Sequence, residues 1–221
     1  MNLKIAYNRM NVIKMGTVAL LLAMTALNVQ AQQQEHHNAN VRLGQKALLS
    51  GDFKGAVTHL EKAFPAEAND PDVLYLLGYS QFQSGNFKKA TDAFAKVVAL
   101  DAKNANAYYY KAKASNTLAV SVEAGLSDAQ KEQLLQLAIA DYTKAILINP
   151  NDAKLYQNRA VAYRDLGILK GTKGTAAYSH SVATDAYTKA VADYEKVLTY
   201  DAARKDIQTE IKKAKVYRDN L

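Results

Sequence analysis

The segment SGDFKGAVTHLEKAF (residues 50–64) is rewritten 34 residues later as SGNFKKATDAFAKVV (residues 84–98). At that offset Leu43 pairs with Leu77, Gly44 with Gly78, Gly51 with Gly85, Phe53 with Phe87, Ala56 with Ala90, and Leu60 with Phe94. Within the second copy Leu74, Leu77, Gly78, Ala90, Phe94 and Val97 recur at threes and fours on either side of SGN, which is helical spacing. Each copy therefore predicts two helices joined by a tight turn. Gly44 and Gly78 fall in mid-helix at a cost of about 1 kcal/mol against alanine, which a closely crossing partner helix would justify. Ala56 and Ala90 supply the matching small surface, with Leu60 and Phe94 filling the wider gap beyond it. Gly51 and Gly85 end the first helices in the left-handed conformation that glycine adopts cheaply.

One helix hairpin cannot bury both of its faces, so copies stack and each covers the next. Here the sequence resembles the tetratricopeptide repeat family, whose 34-residue unit carries a large residue, Leu-Gly, an aromatic, Ala, an aromatic and a late Pro. The pattern stands as LYLLGYSQFQSGNFKKATDAFAKVVALDAKN, with Ala102 where the family often has proline. A third first helix reads as NAYYYKAKASNTLA, and its second helix arrives 14 residues late as LAIADYTKAILINPNDA. A fourth follows as KLYQNRAVAYRDLG, with Gly167 as its stop, and AYTKAVADYEKVLTYD completes it after an insertion of 18. Both insertions fall at the turn inside a hairpin and are expected to emerge from one edge of the stack. In the third unit Ser127 and Gln130 suit a capping box that starts the second helix near Asp128. In the fourth, GTKGTAAYSHS reads as a mobile loop. The stripe Ile207, Ile211, Ala214 and Tyr217 marks a terminal capping helix. The resemblance implies an all-α fold, an α-solenoid of stacked antiparallel hairpins wound as a right-handed superhelix. It has about four repeats (38–70, 71–104, 105–152 and 153–202) and a cap at 203–221.

The opening residues differ in kind. MNLKIAYNRMNVIK carries Lys4, Arg9 and Lys14 and no acid; an apolar run, MGTVALLLAMTALNV, and then Val29-Gln30-Ala31 follow. Basic, then apolar, then small is the layout of a cleavable secretory signal, with cleavage expected after Ala31 and a polar linker over 32–37. The apolar run is shorter than the roughly 20 residues of a spanning helix. Its removal takes three of the 28 Lys and Arg and none of the 21 acids, lowering the formal charge from +7 to +4. The remaining cations are interspersed with acids, which argues against a nucleic-acid surface. The reading is of an exported, periplasmic or secreted chain, without membrane insertion once the signal is cut.

Chemistry-bearing motifs are missing. There is no G-x-G-x-x-G, phosphate loop, H-E-x-x-H or G-x-S-x-G, and with no cysteine neither thiol catalysis nor a disulfide is open to the chain. His36 and His37 lie in the polar stretch QQQEHHNAN and read as solvated linker; no metal site and no cofactor are assigned. The expectation is a non-catalytic scaffold binding a protein or peptide. In the tetratricopeptide family the first helices line the concave face. By position this implies a groove of Val41, Gln45 and Leu48; Tyr75, Tyr79 and Phe82; Tyr109, Lys113 and Asn116; and Gln157, Val161 and Arg164. The carboxylate clamp of some family members is not carried over, because Gln45 and Leu76 stand where it needs asparagine. Two alternatives stay open: a glycan-binding module using the groove tyrosines, and a self-assembling envelope protein.

Overall fold

The computed structural model describes residues 36–221. Among these residues the regular structure is nine helices: α1 (Ala39–Leu49), α2 (Phe53–Ala63), α3 (Pro71–Gln83), α4 (Phe87–Leu100), α5 (Ala105–Val120), α6 (Asp128–Ile148), α7 (Ala153–Gly171), α8 (His180–Leu198) and α9 (Lys205–Asp219). They pair as antiparallel hairpins α1–α2, α3–α4, α5–α6 and α7–α8. Each second helix also packs on the first helix of the next pair, and α9 closes the end against α8. The leader expected over 1–31 and the linker as far as residue 35 lie outside the described residues.

Helix boundaries are set locally. Asp52, Asp70, Asn104 and Asp152 each accept backbone N–H groups of the helix they precede, which satisfies donors that the first turn leaves unpaired. Pro71 follows Asp70 at the start of α3, where its missing N–H is harmless. Both sides of the expected box at the start of α6 are formed: Gln130 N–H donates to Ser127 Oγ, and Ser127 N–H to Gln130 Oε1. At the two short turns Gly51 and Gly85 have φ of 78° and 80°. The following N–H groups, of Asp52 and Asn86, reach back to the carbonyls of Ala47 and Gln81 at 2.9 Å. That is the Schellman closure, and a side chain at either glycine would be strained.

The hairpins close on a large side chain seated where the facing helix has none. A Cβ built on Gly44 would lie 2.6 Å from Leu60 Cγ, and one on Gly78 would lie 3.1 Å from three atoms of the Phe94 ring. Leu60 and Phe94 therefore fill the glycine hollow itself rather than a gap beyond it, and both are fully buried. The same register in the later hairpins sets Ala112 with Tyr142, and Ala160 with Tyr194, all of them buried.

Gly167 does not stop the fourth first helix. It lies inside α7 because the Tyr187 ring covers it, 2.8 Å from where its Cβ would stand. The expected mobile loop is correspondingly shorter: α7 runs on to Gly171 and α8 starts back at His180. Most of the fourth insertion thus lengthens both helices, as α5 and α6 lengthen in the third. The extended ends share a small core of Ala119, Leu135, Leu166 and Ala186, and so leave the stack on one side. Between them lies an open cavity of about 380 Å³ bordered by Val120, Val122, Leu126 and Ile168. In α9 Ile207, Ile211 and Ala214 are buried, whereas Tyr217 remains 48% exposed.

A second correction concerns His36 and His37. They precede α1 as expected, and the His37 ring is exposed, but neither is a free linker residue: His36 Nε2 lies 3.5 Å from Asp70 Oδ2, and His37 Nε2 lies 3.1 Å from Glu67 Oε1, so both reach the turn between α2 and α3.

Replacing Gly78 by leucine forces a side chain into space already taken by Phe94, and overfilled cores lose about 1–3 kcal/mol. Gly78→Leu is expected to lower the thermal midpoint followed by circular dichroism, and an unchanged midpoint would contradict the close crossing.

Candidate functional site

The first helices touch one another in sequence, α1 with α3, α3 with α5 and α5 with α7, so together they form one continuous face. Its middle is aromatic because α3 and α5 put rings at helical spacing on facing sides. Tyr110 is the hub. Its ring meets Tyr79 at 5.3 Å, Tyr75 at 6.1 Å and Phe82 at 5.8 Å between centroids, all near perpendicular, and it stacks on Phe94 at 5.6 Å. Edge-to-face contact sets the positive rim of one ring against the negative face of the next. Burial pushes the hydroxyl pKa values of Tyr75 and Tyr110 well above the ordinary tyrosine value. Tyr75, Tyr79, Phe82 and Tyr110 are only partly buried, so the cluster keeps an accessible edge. The Tyr79 hydroxyl accepts from Gln83 Nε2 at 2.7 Å.

Two cations flank this ledge. Lys154, in the first turn of α7, places Nζ 3.9 Å from the centroid of the Tyr109 ring; Lys113 of α5 lies 5.8 Å from the same ring and 5.5 Å from Phe82. Burial lowers the pKa of both amines, and for Lys113 the neighbouring Lys154 lowers it further. At Lys154 the Asp152 carboxylate opposes the effect of burial, whereas Lys113 has no such neighbour, so the Lys113 ammonium is short of compensating negative charge that an incoming carboxylate would supply.

The residues expected to line the groove divide into two sets. Tyr75, Tyr79, Phe82 and Lys113 come together as described, and Gln45 is half-buried on α1. Val41 has no exposed surface and belongs to the core of the first hairpin with Leu48, so neither touches a partner. Tyr109 is 4% exposed and packs toward Tyr142, and burial pushes its hydroxyl up to about 12. Tyr110, one residue on, takes its place on the face. Asn116 is buried and donates to Asp165 Oδ2 at 2.9 Å. Arg164 donates to Asp165 Oδ1 and to Glu210 of α9; Gln157 accepts from Arg204 at 3.3 Å. Val161 packs against the last core cluster. Asn116, Gln157 and Arg164 are thus joined to partners within the chain that bind α5, α7 and the cap together. The reading from sequence missed Tyr110 and Lys154. The run Tyr108-Tyr109-Tyr110 signalled an aromatic site, but a repeat offset taken from Tyr75 selects the wrong member.

Residues 141–171 match the model of the tetratricopeptide repeat, and residues 49–124 match the model described as anaphase-promoting complex, cyclosome, subunit 3. A DnaJ homolog subfamily C member 7 homolog of Dictyostelium discoideum is 29% identical over 141 residues, 63% of this chain; the chain spans about a fifth (21%) of that protein. A crystal structure of MamA is 23% identical at a TM-score of 0.52, over 81% of this chain and 90% of its own. A second MamA structure, from MSR-1, is 19% identical at a TM-score of 0.53, over 76% and 82%. At these identities the MamA likeness is one of fold. The molecule is a stack of antiparallel helix hairpins with the fold of these structures, and residues 141–171 carry the match to the tetratricopeptide repeat, a class of domain that typically serves as a scaffold for protein contacts.

The role of Arg164 separates structure from recognition. Arg164→Met leaves the buried Asp165 carboxylate with Asn116 as its remaining side-chain donor. The expected loss is about 2–3 kcal/mol, below the 3–5 typical of fully enclosed pairs because Arg164 is partly exposed. Urea unfolding should recover part of that loss in the double variant Arg164→Met with Asp165→Leu; equal stability of Arg164→Met and the parent would contradict the structural assignment.

Proposed function

We propose that the chain is a non-catalytic scaffold that holds a peptide or protein segment along the face of its first helices, across Tyr75, Tyr79, Phe82 and Tyr110. The observation that carries this reading is the partly open aromatic ledge beside the half-buried, undercompensated Lys113 and the exposed Lys154. Rigid aromatic rings provide large contact area at little entropic cost, and such rings dominate binding energy at interfaces. Lys113 and Lys154 favour a segment that brings a carboxylate to the α5–α7 end. A peptide is preferred over a glycan because Tyr110, the hub of the ledge, stacks one face of its ring on Phe94 and is further packed against Tyr75 and Tyr79. The basic, apolar and small layout of residues 1–31 supports action outside the cytoplasm, in the periplasm or secreted.

A photo-crosslinking residue at position 83, one turn from Tyr79, tests the face directly when compared with one at Lys88 on α4. Proteins captured at position 83 and not at 88 are then purified and titrated. Tyr79→Ala combined with Lys113→Glu is expected to weaken their binding at least tenfold with the helical circular dichroism unchanged. Capture only from position 88, or undiminished affinity of the variant, would refute the assignment.

A further inference from the structure

We propose that His36, His37 and Glu67, with Asp70 beside His36, form a site for a divalent transition-metal ion, zinc in preference to calcium or magnesium, which fastens the chain entering α1 to the turn between the first two hairpins. The starting point is Glu67. It is 7% exposed, and its side-chain partners among the described residues are the Asn38 amide and the His37 imidazole, both on Oε1. No lysine or arginine among the described residues pairs with it. A buried carboxylate without a matching cation is costly, and the groups around it are metal ligands.

One donor atom from each of His36, His37 and Glu67 lies within 4.8 Å of the others. The His37 Nε2 to Glu67 Oε1 separation is 3.1 Å, and that of His36 Nε2 to Asp70 Oδ2 is 3.5 Å. Zinc bonds of about 2.0–2.1 Å in tetrahedral geometry place neighbouring donors roughly 3.3 Å apart, so the His37–Glu67 separation is close to what zinc requires, and the His36 donor lies within 4.8 Å of both. Two imidazoles with a carboxylate suit zinc, whereas calcium and magnesium favour sets made of oxygen alone.

The support for the site is already built. Arg42 Nη1 donates to the carbonyls of both His36 and His37, at 2.7 and 3.1 Å, and the two rings stack at 4.5 Å. These contacts fix the dipeptide against the turn. His36 Nδ1 accepts the Asn38 N–H at 3.1 Å. Metal at His36 Nε2 leaves the proton on Nδ1 and displaces that contact, so His36 is the weaker of the two imidazole ligands. The turn that the ion would hold joins α2 to α3, whose interface is the least extensive of the contacts between successive hairpins. At the opposite end α9 covers the last hairpin; here the ion would strengthen the first.

Calorimetric titration of the full chain, stripped of metal, with zinc chloride and separately with calcium chloride tests the site. Zinc is expected to bind one site and to raise the melting temperature, as ligands of the folded state do. Calcium is expected to bind at least tenfold more weakly. His37→Ala is the decisive variant because its ring is 82% exposed, so its loss spares the core. It should lower zinc affinity tenfold or more, as should Glu67→Gln, while His59→Ala leaves affinity unchanged. Absence of saturable zinc binding, calcium binding as tight as zinc, or a loss of less than tenfold in His37→Ala would overturn the proposal.

Discussion

The fold depends on one contact used in every hairpin: a bulky side chain of the second helix set into a place where the first helix has little or no side chain. Leu60 over Gly44 and Phe94 over Gly78 bring the helix axes close, and Tyr142 and Tyr194 do the same against alanines. Glycine in mid-helix lowers helix propensity, so the pattern persists only where packing returns more than propensity loses. Burying an aromatic or leucine side chain contributes about 1.5–3 kcal/mol, which exceeds that loss. Each second helix also carries apolar residues on the side away from its partner, and the first helix of the next hairpin covers them.

From that contact the positions of the extensions and of the face follow. Extra residues can enter only where no neighbour is displaced, and the tip of a hairpin meets this condition. In the fourth hairpin the added turns are held by a further small-to-large contact, Tyr187 over Gly167, so they continue the packing of the stack. Because the first helices meet side by side, residues one turn apart on α3 and α5 become neighbours across the interface. Tyr75, Tyr79, Phe82 and Tyr110 are assembled in this way, and the cations of α5 and α7 reach the same place.

Periodicity revealed the hairpins because a glycine, a small residue and an aromatic recur in register, and the physical reasons for those residue types are local. Turn chemistry was equally readable: Gly51, Gly85 and the Ser127–Gln130 box act within a few residues of themselves. Sequence patterns failed where a residue's role depends on a partner far along the chain. Gly167 looks like a helix stop until Tyr187 is placed over it. Asn116 and Arg164 look free until Asp165 and Glu210 are brought beside them. Tyr109 and Tyr110 differ by about 100° around α5, and only the packing of α6 and α7 decides which ring is enclosed. His36 and His37 read as linker because their partners, Glu67 and Asp70, stand two helices later.

A double-mutant cycle on Gly78→Ala and Phe94→Leu tests the central contact most directly, since each change alters one side of the same seat. If the Phe94 ring occupies the glycine hollow, the smaller side chain relieves the added methyl, and unfolding free energies should show a coupling of about 1 kcal/mol or more. Strictly additive losses would contradict the close crossing on which the stack is built.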